Sequence, residues 1–307
     1  NNKLPNAPAP GTGADCHSWI MSMANLGIMG GKDPHEIEAD LRRAIPRGKR
    51  RLLNSEIPDA INKAMNDLKG GSFVPRRKPE PVVKDGKAAR QRIIDQAKIT
   101  TEVDLFEASP IRLWDDPKGD PVLLLETLYE PTDLVWIGER HQTGINTIMA
   151  VQDWIAYIRC GGKAGPHIIP NPMTGQEGTT KDGKPSFRTD NTVKTYRFCV
   201  AEFDGLSRED QIRFWSAVKL PIAALIDSGG KSIHAWIDVQ KLAKVETAEQ
   251  GEANIKDRLY SQILVPMGID SQCSNPSRLS RMPGHYREEK QAWQRLLWLS
   301  KDGQAIC

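Results

Sequence analysis

Up to about residue 70, apolar residues recur at three- and four-residue intervals. Residues 15–29 bring Trp19, Ile20, Met23, Ala24 and Leu26 near one helical face. A second helix is announced by Asp33 as cap, Pro34 in the first turn and Glu36 at capping-box spacing. In a third, Ile57, Ile61, Met65 and Leu68 share a face that ends at Gly70-Gly71. Together these predict a small all-α helical bundle over residues 14–70. The Pro-, Gly- and Asn-rich residues 1–13 read as a disordered tail. Residues 71–100, rich in Pro and Lys/Arg, read as a basic linker with one helix around "AARQRIIDQA".

Beyond residue 100 the rhythm changes. "PVLLLETL" and "DLVWIGE" predict a helix or strand and then a buried strand, and "GINTIMAVQDWIAYI" a long apolar helix. "YRFCVAEFDG" holds a strand. "SREDQIRFWSAV" reads as a helix with a Ser207–Asp210 cap, "GEANIKDRLYSQILV" as another helix and "QRLLWLS" as a last strand. "PIAALIDSGGKSIHAWIDV" has the length and turn residues of a hairpin. Its second arm alternates Ile233, Ala235, Ile237 and Val239 against Ser232, His234, Trp236 and Asp238. Strands, hairpins and helices in this mixture predict an α+β sheet domain over residues 101–307.

Composition narrows the class. A chain of 307 residues with 39% hydrophobic and 26% charged residues is long enough for two domains. No apolar run reaches the roughly 18 residues of a membrane span, and the opening "NNKLPNAPAPGTGAD" has neither the basic start nor the apolar core of a signal peptide. Without an initiator Met, it reads as a processed or excised fragment. Cys16, Cys160, Cys199, Cys273 and Cys307 form no C-x-x-C pair, so no structural zinc is expected and a reducing cytoplasm fits. The net charge of +3 says little, but Arg42, Arg43, Arg47, Lys49, Arg50 and Arg51 cluster in "RRAIPRGKRR". Such a cluster is either a solvated helix end or a contact surface for nucleic-acid phosphates.

Gly230-Lys231-Ser232 ends like a P-loop, but the glycine required five residues before Gly230 is Leu225, and a strand follows where a helix is needed. The P-loop reading fails. In "AEFDG", Glu202 and Asp204 stand two apart and project to one side of a strand. Such a pair is either a solvated turn or an oxygen-donor site for a hard divalent cation. "GIDSQCSNPSRLSRMPGHYR" adds Asp270 with Arg278, Arg281 and Arg287, a loop set suited to phosphate oxygens.

In this order, Glu202-Phe203-Asp204, then Ser232-Ile233-His234 within "SGGKSIHAW", then Ile269-Asp270, the chain resembles the archaeo-eukaryotic primase (primase-polymerase) superfamily of phage and plasmid replication modules. "HIIPNPMTG" and "NPSRLSRMPG" strengthen the likeness, which covers roughly residues 120–300. Two features depart from that family: Glu replaces the more frequent Asp in the first motif, and the helical accessory bundle precedes the catalytic domain instead of following it.

The resemblance implies an RRM-like mixed or antiparallel sheet core. It implies a DNA-dependent primase/polymerase that joins dNTPs or NTPs on single-stranded DNA with two Mg²⁺ or Mn²⁺ ions held by Glu202, Asp204 and Asp270. Ser228, Lys231, Ser232 and His234 would hold the triphosphate, Arg278 and Arg281 would clamp phosphate, and Asn171 and Arg188 would touch nucleotide or template. A replicative helicase, separate or on a lost C-terminal domain, would be a partner.

Two other readings compete: a rolling-circle initiator nuclease, and a non-catalytic nucleic-acid-binding module. Against the first, His141 and His167 are isolated, no His-x-His is present, and Tyr260 lies on an expected helix. Intact acids beside an intact Ser-x-His count against the second.

Overall fold

The structure is a computed structural model that describes residues 7–10, 16–69, 82–142, 147–180, 183–243 and 251–307. The chain divides into two compact units, Asn1–Arg77 and Lys78–Cys307.

The first unit contains α1 (Cys16–Met29), α2 (Pro34–Ala44) and α3 (Glu56–Lys69). Their apolar faces meet in a core of Cys16, Ile20, Ala24, Ile37, Leu41, Ile57, Ala60, Ile61 and Ala64. Asp33 caps α2 by accepting the His35 N–H at 2.8 Å, and Pro34 occupies the first turn. Of the expected disordered tail, residues 1–6 and 11–13 lie outside the described residues.

The second unit is a layered α+β body. Its helices are α4 (Gly86–Asp95), α5 (Glu102–Glu107), α6 (Asp120–Leu128), α7 (Val151–Arg159), α8 (Arg208–Ala217), α9 (Val239–Ala243) and α10 (Glu252–Leu264). Its strands are β1 (Leu134–Gly138), β2 (Ile148–Ala150), β3 (His167–Ile168), β4 (Gly178–Thr179), β5 (Pro185–Ser186) and β6 (Phe198–Ala201), then β7 (Ile222–Asp227), β8 (Ile233–Asp238), β9 (Ser280–Arg281), β10 (Tyr286–Arg287), β11 (Ala292–Trp293) and β12 (Arg295–Gln304).

The central sheet runs β12-β7-β8-β6, with antiparallel neighbours throughout. A second four-stranded sheet runs β2-β1-β3-β9. One face of the central sheet packs Ala201, Leu225, Ile233, Ala235 and Ile237 into a core that includes Phe214 and Trp215 of α8 and Tyr260 of α10. The other face packs Val200, Ile226, Trp236 and Leu296 against Val135 and Ile137 of β1, Leu124 and Leu125 of α6 and Trp154 of α7.

Two expectations need correction. The long helix over "GINTIMAVQDWIAYI" is instead β2 followed by the shorter α7, because Ile148–Ala150 pair with Leu134–Trp136 and bury Ile148 against Trp136; residues 143–146 lie outside the described residues. The linker expected over 71–100 is folded from Val82 onward. Val82 and Val83 donate to the Gln262 carbonyl, Arg90 donates to the Met267 carbonyl, and Ile94 is buried in the core; residues 71–81 lie outside the described set. The face of β8 that carries His234 and Trp236 is covered by the second sheet layer, which leaves Trp236 at 0% and His234 at 5% exposure.

Candidate active site

The site lies at the end of the central sheet where β6 stops and β8 begins. Ala201 pairs with Ala235, so Glu202, the next residue, comes level with His234. The Phe203–Ile269 bridge then draws the chain after α10 alongside, and the Asp270 N–H donates to the Glu202 carbonyl at 3.0 Å. Phe203 turns into the core against Phe214 and Trp215, which leaves the acids on either side of it facing outward. Strand alternation therefore sets the direction of Glu202, and one long-range bridge supplies Asp270.

The Glu202 carboxylate is the hub. Oε2 accepts from Ser232 Oγ at 3.0 Å and lies 3.1 Å from His234 Nε2. Oε1 lies 3.3 Å from Arg278 Nη2, and the same nitrogen is 3.3 Å from Asp270 Oδ2. Burial alone would raise the Glu202 pKa. The bonds from His234 and Ser232 and the charge of Arg278 outweigh it and hold the group well below the usual carboxylate range.

The proton on His234 can be placed from its neighbours. The Trp236 indole N–H, which only donates, points at Ser280 Oγ at 2.7 Å, and that hydroxyl is 3.2 Å from His234 Nδ1. Glu202, held as an ionised carboxylate, can only accept, so Nε2 carries the proton between them, whichever way the Ser280 hydroxyl turns.

Asp204 is exposed, and it is not among the donor atoms that gather within 4.8 Å of one another; those belong to Glu202, Asp270 and Cys273. Partial burial and the charges of Glu202 and Asp270 raise its pKa, so it lies within their field. The Cys273 thiol lies 3.6 Å from both Glu202 Oε1 and Asp270 Oδ2, and burial pushes its pKa up. Two carboxylates that share a guanidinium form an oxygen-donor set of the kind Mg²⁺ or Mn²⁺ takes, with Arg278 standing as the cation between them.

Around this hub, Lys231 is exposed at the hairpin turn. Ser228 is buried; its N–H closes the turn on the Ser232 carbonyl and its own carbonyl accepts from Arg287 at 3.0 Å. Arg281 has no carboxylate partner among the described residues and lies 3.0 Å from His167 Nε2. Burial, reinforced by Arg281, pushes His167 down to about 3, so its neutral ring accepts that bond.

Not every candidate joins the site. Asn171 is 1% exposed, and its amide is fully engaged by the Phe198 and Pro276 carbonyls and the Arg197 and Phe198 N–H groups. It is a clamp on β6, and no donor or acceptor is left for a nucleotide. Arg188 donates to the Arg140 carbonyl and stacks 5.2 Å from the Trp136 ring centre. In the first unit, Arg42, Arg43 and Arg50 are paired with Glu38, Asp40 and Glu56, while Arg47, Lys49 and Arg51 are exposed without an ion pair among the described residues.

Three contributors escaped the sequence reading. Cys273 follows Asp270 by three residues across a single turn, a D-x-x-C spacing that was there to be seen. Ser280 had no local signal. Gln211, fully buried on α8, accepts from the Ile233 N–H and donates to the Lys231 carbonyl, fixing the hairpin turn. Following Glu209 and Asp210 in the first turn of the helix, it read as one more polar residue.

No protein-family model and no curated protein matches the chain. Among solved structures it is similar to the AEP domain of the cyanophage S-2L primase-polymerase (PrimPol), at 14% identity over 62% of this chain and 94% of that one, with a TM-score of 0.39.

Proposed function

We propose that the second unit is a nucleotidyltransferase of the primase-polymerase kind, joining nucleoside triphosphates on a single-stranded DNA template during replication of a phage or other mobile element. What supports this is one contact set: Glu202 faces Asp270 across 3.3 Å bridges to Arg278 while Ser232 and His234 hold its other oxygen. Tyr260, the tyrosine a nuclease would need, is buried and donates to the Val200 carbonyl.

Divalent ions held by Glu202, Asp204 and Asp270 would activate an attacking 3′-hydroxyl and neutralise charge as pyrophosphate departs from the α-phosphate. Ser232 and His234 fix the orientation of the Glu202 carboxylate, so that it needs no reorganisation when substrate arrives. Lys231 and Arg281, cations without carboxylate partners among the described residues, receive the triphosphate beside the Ser228 turn. Arg278 moves from the carboxylates to phosphate once other positive charge enters.

The test is incubation with single-stranded template, labelled nucleotides and Mg²⁺ or Mn²⁺, beside the Asp204→Ala and Glu202→Gln variants. Wild type makes metal-dependent product, and each variant loses on the order of 10³-fold in rate. Equal product from all three proteins removes the carboxylate mechanism.

A further inference from the structure

The short ribbon β10–β11 has two faces with different tasks. On one, Arg287 reaches back 3.0 Å to the Ser228 carbonyl of the catalytic hairpin turn. The ribbon presses closely there: a Cβ on Gly229 would lie 3.2 Å from Arg287 Cδ and from the Trp293 carbonyl, and Gly229 holds φ +63°. On the other, Tyr286 and Trp293 are cross-strand partners whose rings stand 5.2 Å apart. Both rings are only half-buried, and neither belongs to a core cluster.

These rings wall a cavity of about 630 Å³, within the roughly 300–1,000 Å³ range of sites that enclose a small organic group. Its lining includes the Gly161-Gly162 turn after α7, Lys118 and Lys163. Both lysines are exposed and have no ion pair among the described residues. Of the two acids in the lining, Glu289 is held by Arg287 at 2.6 Å, which leaves Glu288 without an ion pair among the described residues. Half-exposed rings beside unpaired cations are what a single nucleic-acid strand uses: bases stack on the rings and phosphates meet the lysines.

We infer that the Tyr286–Trp293 pocket is a stacking site for single-stranded nucleic acid, taking one or two bases of the strand next to the catalytic hairpin. This inference rests on the proposed nucleotidyl transfer for its purpose, but strand binding is measured without metal or nucleotide and so stands or falls alone. The ribbon's contact with the Ser228 turn ties this pocket, through its opposite face, to the hairpin that carries Ser232 and His234.

The experiment uses the full chain. Binding of fluorescein-labelled oligothymidylate and oligouridylate is followed by anisotropy in EDTA, and photocrosslinking of 5-iodouracil versions is mapped by mass spectrometry. Crosslinks are expected at Trp293 or Tyr286. Trp293→Ala should weaken binding roughly tenfold, the size of one lost stack, while Trp293→Phe retains most of it. Lys163→Glu should weaken binding and flatten its salt dependence. Oligothymidylate binding tighter than oligouridylate, or the reverse, identifies which strand the pocket prefers, and either supports the assignment. Should Trp293→Ala fail to fold, the wild-type crosslinks decide. Adducts confined to other surfaces, or full affinity in a folded Tyr286→Ala/Trp293→Ala protein, overturn the inference.

Discussion

In the basic stretch of the first unit, each paired arginine finds its acid close by in sequence: Arg42 meets Glu38 one turn back, Arg43 meets Asp40, and Arg50 meets Glu56 six residues on. Around Glu202 the partners come from afar, Ser232 at 30 residues and Arg278 at 76. Exposure differs for the Arg42 and Arg43 pairs, though not for the acid of the third, since the Glu56 side chain is only 8% accessible. The Arg43 side chain is 78% accessible, whereas Glu202 is 13%. Similar residue types therefore behave differently in the two places. Solvated, local pairs are screened and contribute little. Charges gathered by the fold and withdrawn from water perturb one another, and removing one leaves the others uncompensated.

The sharpest way to press that contrast is Arg278→Ala, which leaves Glu202 and Asp270 facing each other without their shared cation. Urea denaturation in EDTA should show a loss of about 2 kcal/mol, reduced from the fully buried case because Arg278 is partly exposed. Millimolar Mg²⁺ should restore more stability to the variant than to wild type. An identical response to Mg²⁺ in both would mean that the two carboxylates do not share a site for a cation.

A second buried charge tests the same physics with the opposite sign. Asp120 opens α6 at 1% exposure. Its Oδ2 accepts the Leu296 N–H at 2.7 Å, while Oδ1 has no partner. Burial pushes its pKa up to about 7, against roughly 3.9 in an unfolded chain. Between those values the folded state binds the extra proton, so this group's contribution to stability falls as pH rises from about 4 to about 7. Asp120→Asn should flatten that decline in a pH series of melting curves. An unchanged slope would assign the decline to other groups.

The smallest effects belong to the first unit. Arg43→Ala should change stability by no more than about 0.5 kcal/mol by urea titration. Replacing Arg47, Lys49 and Arg51 together by alanine should leave the fold intact and lower the salt slope of oligonucleotide binding by up to about 2–3. If the paired Arg42 and Arg43 proved to matter more to binding than this unpaired trio, local pairing would not be what sorts these cations.

Legibility in the sequence follows the range of the interaction. The β7–β8 hairpin, the Ser207 cap that accepts the Asp210 N–H and the last strand were all readable, because each is written in adjacent residues. Ile148–Ala150 was not, since a short apolar run is strand or helix according to whether a partner such as Leu134–Trp136 is present. The burial of Trp236 required knowing that a second sheet would cover it. In the site, E-x-D and S-x-H carried their own spacing. Ser280 reaches His234 across 46 residues and Asn171 reaches Phe198 across 27, so only the folded chain reveals one as a link and the other as a clamp.

Both broad surfaces of the β12-β7-β8-β6 sheet are occluded by packed side chains, so the Glu202 cluster sits at the rim where β6 ends and β8 begins. Under the proposed function, the strands would fix the acids while the loops crossing that rim would decide what is admitted. Exchanging those loops would then redirect selectivity without disturbing the sheet beneath.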